Sequence, residues 1–149
     1  MKVVVQRCKK SSVIVDEKCV GRIEKGLLLL VGFTDGDTKK EIDYLVDKII
    51  HLRIFDDENG IMNQSLLDMN GSILSVSQFT LYADTKKGRR PSYIKALNGE
   101  EARLLYQLFN QELRKKVSRV EEGIFGADME VHLINDGPVT ILLEKEGDV

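Results

Sequence analysis

Tryptophan is absent from this chain of 149 residues, and proline, histidine and cysteine occur only twice each. That scarcity removes several kinds of chemistry. A four-ligand zinc site of Cys and His would consume all four such residues, and Cys8 and Cys19 lack the close spacing that metal-binding or redox pairs use. No glycine-rich phosphate motif is present, neither GxGxxG after a strand nor GxxxxGK[ST], and GxSxG and HExxH are missing as well. No metal and no cofactor is expected. The longest aliphatic run, Leu27 to Val31, is far too short to span a bilayer, and Val3-Val4-Val5 before Gln6 and Arg7 makes no signal peptide. The expectation is a cytoplasmic protein with no membrane partner. With Lys+Arg 22 against Asp+Glu 24, the net charge of -2 does not advertise nucleic acid, and DNA is not expected.

What is present reads as one domain over 1–149. Hydrophobic residues at 42% and charged residues at 31% suit a soluble chain long enough to bury a core without staples. Residues 3–8 alternate with period two, Lys9-Lys10-Ser11 interrupts, and Val13 and Val15 resume toward a hairpin partner at Cys19 to Ile23. Leu27 to Val31 lacks a polar face and reads as a central strand buried on both sides. Thr38 and Glu41 form a capping-box pattern ahead of the stripe Ile42, Leu45, Val46, Ile49 and Ile50, which predicts a helix. Asn98 and Glu101 repeat the cap ahead of Ala102, Leu105, Tyr106, Phe109 and Leu113. Strands are expected over 73–82, 118–124, 129–135 and 139–144, for about seven in all. Without strict alternation of strand and helix, the expected fold is α+β: a mostly antiparallel, barrel-like sheet with two main helices.

Three features stand out against this background. Ser77-Gln78-Phe79-Thr80-Leu81 places polar groups inside an apolar strand, where they either bond within the sheet or line a site. In Asn135-Asp136-Gly137-Pro138-Val139-Thr140, proline cannot donate to a central ladder, so Pro138 marks a turn or an edge, and an X-Pro bond can be cis. Asp84 to Lys95 carries five basic residues and one acidic, including Lys86, Lys87, Arg89 and Arg90; it suits phosphate, or is a solvated loop. Arg114, Lys115, Lys116 and Arg119 make a second basic group, partly explained by a helix C-terminus. His51 and His132 read as packing or surface residues.

At these residues, and at Leu52-Arg53-Ile54-Phe55 and Phe125-Gly126-Ala127-Asp128-Met129, the sequence resembles the D-aminoacyl-tRNA deacylases of bacteria and eukaryotes along nearly its whole length. The resemblance implies a homodimer that hydrolyses the ester joining a D-amino acid, or glycine, to tRNA. It also implies that Ser77, Gln78, Phe79, Thr80 and Leu81 line the pocket. Gly137 and Pro138, with a cis bond, would enter the partner's pocket, supported by Arg7 and Met129. A rigid backbone wall that rejects every L side chain suits a proofreader that must accept many side chains of one hand. Backbone N–H groups near Phe79 and Thr80, a Thr80 nucleophile, or a ribose hydroxyl of the tRNA could each carry the chemical step. A non-catalytic RNA-binding protein on the same scaffold is the competing expectation.

Overall fold

In the computed structural model, which describes residues 1–147, strand β1 spans Lys2–Val15 and organises the sheet. Along one edge its first half pairs antiparallel with β3 (Gly26–Gly32) and its second half with β2 (Lys18–Ile23). Its other edge carries β8 (Glu130–Glu144) over almost its full length, also antiparallel. Beyond β3 the sheet turns parallel, through β6 (Ser72–Ser77) and β7 (Val120–Glu122). Arg119 reaches back from the start of β7 to donate to the Arg22 carbonyl at 2.8 Å, drawing the far edge toward β2 and leaving the sheet nearly closed. A small hairpin of β4 (Phe55–Asp56) and β5 (Met62–Gln64) stands apart.

Period two sorts the sheet into two cores. Val3, Val5, Leu27, Leu29, Val31 and Ile73 face the helices α1 (Lys39–His51) and α2 (Gly99–Arg114), meeting Ile42, Leu45, Ile49, Tyr106, Phe109 and Leu113. Each fully buried Leu or Ile contributes about 1.5–3 kcal/mol, so this layer dominates the fold. On the opposite face Cys8, Val13, Ile23, Leu28, Leu74 and Val76 form an inner cluster, flanked by Met129, Val131 and Leu133. Burial lifts the Cys8 thiol pKa to about 11, whereas Cys19 is exposed.

Leu27 to Val31 is the central strand its composition predicts. The capping box of α1 also forms, with the Thr38 hydroxyl accepting from the Lys40 amide at 3.2 Å and Glu41 accepting from the Thr38 amide at 2.8 Å. Other expectations need correction. Lys9-Lys10-Ser11 does not interrupt β1; an irregular register against β8 between Cys8 and Lys10 puts two consecutive lysines in solvent and returns Val13 to the inner face. Asn98 precedes α2 but makes no side-chain cap bond. The strand expected over 73–82 stops at Ser77, and the two strands expected over 129–144 are one. No helix among the described residues is long and apolar enough to cross a membrane.

Candidate active site

The end of β6 builds the site. Ser77 is the last residue paired with β3, opposite Val31, and the Gln78 amide donates to the Val31 carbonyl at 2.7 Å. Beyond that point β3 offers no further partner, because the Phe33 carbonyl accepts from Leu97 instead. The chain therefore folds into a 3-10 turn over Phe79–Tyr82, with Leu81 donating to the Gln78 carbonyl and Ala83 to that of Thr80. Gly32 permits this fold: a Cβ there would stand 2.9 Å from the Gln78 carbonyl oxygen and 3.2 Å from the Leu81 Cβ.

A turn at this position leaves its first amides unspent. Among the described residues, neither the Phe79 nor the Thr80 N–H has an intrachain acceptor. The Thr80 hydroxyl accepts from the Gln78 side-chain amide at 2.5 Å. Period-two alternation, which would have paired Gln78 with Thr80 on one face of a strand, does not apply within the turn.

Beside the turn lies a cleft of about 450 Å³. Ser77, Gln78 and Phe79 form one wall, Phe125 to Met129 another, and Asn98, at the start of α2, a third. The floor is apolar, from Val31, Phe33, Val76 and Leu97. Thr80 and Leu81 lie beside the cleft rather than in its wall. Among the described residues, the only ionisable side chain lining it is Asp128, which is exposed. Neither histidine lines the cleft: His51 lies exposed on α1, and His132 sits on β8, 3.6 Å from Glu130. No cluster of three or more metal-ligating side chains occurs among the described residues.

Arg7, Gly137 and Pro138 are placed elsewhere. Thr140 pairs with Gln6 and Asn135 with Cys8, so residues 136–139 leave and rejoin the same strand opposite Arg7; this is an excursion, not the turn of a hairpin. Asn135 braces it by accepting from the Val139 amide at 2.7 Å and donating to the Thr140 hydroxyl at 3.0 Å. Arg7, buried, donates to the carbonyls of Asp136 and Ile54, each at 2.8 Å. The Gly137-Pro138 peptide is cis, and both residues are exposed. At φ 137°, Gly137 has no room for a side chain: a Cβ would stand 2.8 Å from Val139 Cγ2 and 3.2 Å from Arg7 Nη2.

The basic residues sit on an exposed loop pinched shut by paired backbone bonds between Asp84 and Ser92. Among the described residues Lys86, Lys87, Arg89 and Arg90 make no ion pair, and the loop reaches the cleft through an edge-to-face contact of Tyr93 on Phe79 at 5.2 Å. In the second basic group Arg114 pairs with Glu122 and Lys115 with Glu112, each within 2.9 Å, so much of that charge is spent within the chain. Phe125 and Asp128 carry no local signal of a site role in the sequence, and Asn98 reads there as a helix cap.

Comparison with known proteins converges on one family. Residues 4–144 match the family model described as D-Tyr-tRNA(Tyr) deacylase. Proteins called D-aminoacyl-tRNA deacylase from Brevibacillus brevis and Shouchella clausii are 57% and 56% identical, over 97% and 98% of this chain and the whole of each relative. A solved structure described as c-Myc DNA Unwinding Element Binding Protein superposes with a TM-score of 0.93 at 42% identity, covering 99% of this chain and all of that one. Another, described as a probable eukaryotic D-amino acid tRNA deacylase, shares the fold at a TM-score of 0.82 and 22% identity, over 95% of this chain and 97% of that one.

Proposed function

The chain belongs to the D-Tyr-tRNA(Tyr) deacylase family and is a hydrolase of the aminoacyl-tRNA ester bond, and we propose that it removes D-amino acids, and glycine, from tRNA at a site shared between two subunits. The pair of unspent amides at Phe79 and Thr80 carries the chemical part of this reading. They are suited to hold the oxyanion that forms when water adds to the ester carbonyl. The carbon–oxygen bond to the ribose then breaks, the ribose oxygen takes up a proton, and the products are free tRNA and the free amino acid. An aminoacyl ester is already activated, and Thr80 has no neighbouring base in the cleft, so a water acting on backbone donors fits better than a Thr80 nucleophile. The vicinal ribose hydroxyl of the terminal adenosine is positioned by the substrate itself to relay the proton.

Selectivity is assigned to the excursion at residues 136–139. Val131 in the cleft wall and Gly137 lie on one strand, six residues or about 20 Å apart, so the loop serves its own cleft poorly. A twofold-related copy running antiparallel along β8 would place each loop in the other's cleft. Exposed Ile134, between the two, supports such a contact. The inserted Gly137-Pro138 backbone, held by Arg7, would occupy the space into which an L side chain projects. D side chains point away, and glycine has nothing to exclude. The loop at Lys86, Lys87, Arg89 and Arg90 supplies the charge for the tRNA backbone. Such an activity belongs to quality control of translation in the cytoplasm.

Following ester loss from D-tyrosyl-tRNA and L-tyrosyl-tRNA tests the reading. Loss of the D ester alone is expected. Equal loss of both would mean an unselective esterase, and loss of neither a nucleic-acid binder on this scaffold.

A further inference from the structure

We propose that Tyr93, together with the ring of Phe79, forms a stacking platform for the unpaired nucleotides that precede the terminal adenosine of the tRNA substrate. The inference rests on the deacylase reading and extends it outward from the cleft. Phe79 lines the cleft yet is 46% exposed, Tyr93 is 40% exposed, and the next residue, Ile94, is 87% exposed. Two exposed rings in contact at the edge of the cleft, with exposed Ile94 next in the chain, are costly unless something covers them. The two rings meet at 68°, edge to face, a geometry that spends the edge of one ring and leaves a face free.

The segment carrying Tyr93 is held in place. The Leu97 amide donates to the Phe33 carbonyl at 2.9 Å, the Thr34 hydroxyl to the Lys95 carbonyl at 2.6 Å, and the Ala96 amide to the Tyr93 carbonyl at 3.0 Å. A ring presented on a braced segment loses little freedom when a base stacks on it. Immediately before Tyr93 stands the loop of Lys86, Lys87, Arg89 and Arg90, whose side chains make no ion pair among the described residues. Aromatic faces beside a run of free cations are the usual means of binding a single strand without reading its sequence. A tRNA whose terminal adenosine enters the cleft past Phe79 has this surface beside it for its preceding nucleotides. That continuity with the cleft, together with the charge, favours RNA over a second copy of the chain.

The test compares Tyr93→Phe and Tyr93→Leu with the wild type on two substrates, D-tyrosyl-tRNA and D-tyrosyl-adenosine. Leucine keeps apolar packing against Phe79 but removes the ring. The ratio of kcat/KM for the tRNA ester to that for the short ester is expected to fall about tenfold in Tyr93→Leu, through KM, and to hold in Tyr93→Phe. An unchanged ratio in Tyr93→Leu overturns the proposal. So does an equal loss on both esters, or a dimer that dissociates in that variant, since either makes Tyr93 a packing or subunit contact. Uncharged tRNA with 2-aminopurine in place of the nucleotide before the terminal adenosine gives a readout independent of hydrolysis. Its fluorescence should be quenched by the wild type and Tyr93→Phe and much less by Tyr93→Leu; equal quenching by all three contradicts stacking, whether or not the protein cleaves the ester.

Discussion

Arg7 donates from Nε to the main-chain carbonyl of Asp136 at 2.8 Å, so a side chain from the middle of β1 fixes the base of a loop that leaves β8 and returns to it. The same guanidinium donates to the Ile54 carbonyl and lies 3.4 Å from Asp56, tying the loop to the β4–β5 hairpin. One buried fork thus coordinates three segments. Arg7→Ala is expected to cost about 2–4 kcal/mol in urea unfolding, because it leaves the buried Ile54 carbonyl and the half-buried Asp136 carbonyl unpaired, and to raise hydrolysis of L-tyrosyl-tRNA. Arg7→Lys keeps the charge but not the fork, and should fall between Ala and wild type on both measures.

Gly137→Ala tests the wall more locally. A Cβ at this residue meets Val139 and the Arg7 guanidinium, and its φ lies where L side chains are strained by about 1–3 kcal/mol. The loop must move to admit it. The ratio of D- to L-tyrosyl-tRNA hydrolysis should fall at least tenfold while the D rate changes less. Unaltered discrimination would remove the loop from chiral selection.

Thr80→Val separates backbone from side-chain chemistry. The Thr80 hydroxyl is engaged by Gln78, and the adjacent amides are assigned to the oxyanion. Turnover of D-tyrosyl-tRNA is expected to fall less than about tenfold, through displacement of Gln78. Loss of three orders of magnitude with binding retained would make Thr80 the nucleophile.

The basic loop should be visible as salt dependence. Replacing Lys87 and Arg89 with Gln is expected to weaken tRNA binding and to shallow the slope of log affinity against log salt by about 1–2, given roughly 0.7–0.9 per phosphate contact. An unchanged slope would assign the loop to solvent.

How far the sequence led depended on whether a feature was decided locally. Thr38 and Glu41 sit three residues apart and cap each other, so α1 is legible from a short window. The run Leu27 to Val31 lacks a polar face and reads as a strand buried on both sides, as the two cores that share it show. The end of β6 was not legible in the same way. Phe79-Thr80-Leu81-Tyr82 has good strand composition, and it turns only because β3, its partner across the sheet, ends at Gly32. Likewise Asp136-Gly137-Pro138 reads locally as a hairpin turn, but the pairing of both its flanks with β1 makes it an excursion from one strand. Asn98 shows the opposite error: a residue with a good local role as a cap lines the cleft instead. At the candidate site, the polar composition of the Ser77 to Leu81 segment is legible in the sequence, and the structure lines the cleft with Ser77, Gln78 and Phe79; the unspent amides of Phe79 and Thr80 appear only in the fold.

The central claim is that the cleft of one subunit and the Gly137 loop of the other make a single site, and mixed dimers test it most directly. A variant with a disabled cleft, in which Phe79→Pro removes one of the two unspent amides at the start of the turn, is co-expressed with Gly137→Ala, and the heterodimer is isolated by differential tags. If the loop acts in the partner's cleft, each heterodimer contains one site with an intact cleft and an intact loop. Hydrolysis of D-tyrosyl-tRNA with rejection of L-tyrosyl-tRNA is then restored at about half the wild-type rate per dimer. If the loop acts within its own subunit, the only working cleft carries the altered loop, and the heterodimer shows the relaxed D to L ratio of Gly137→Ala; that result would contradict the account.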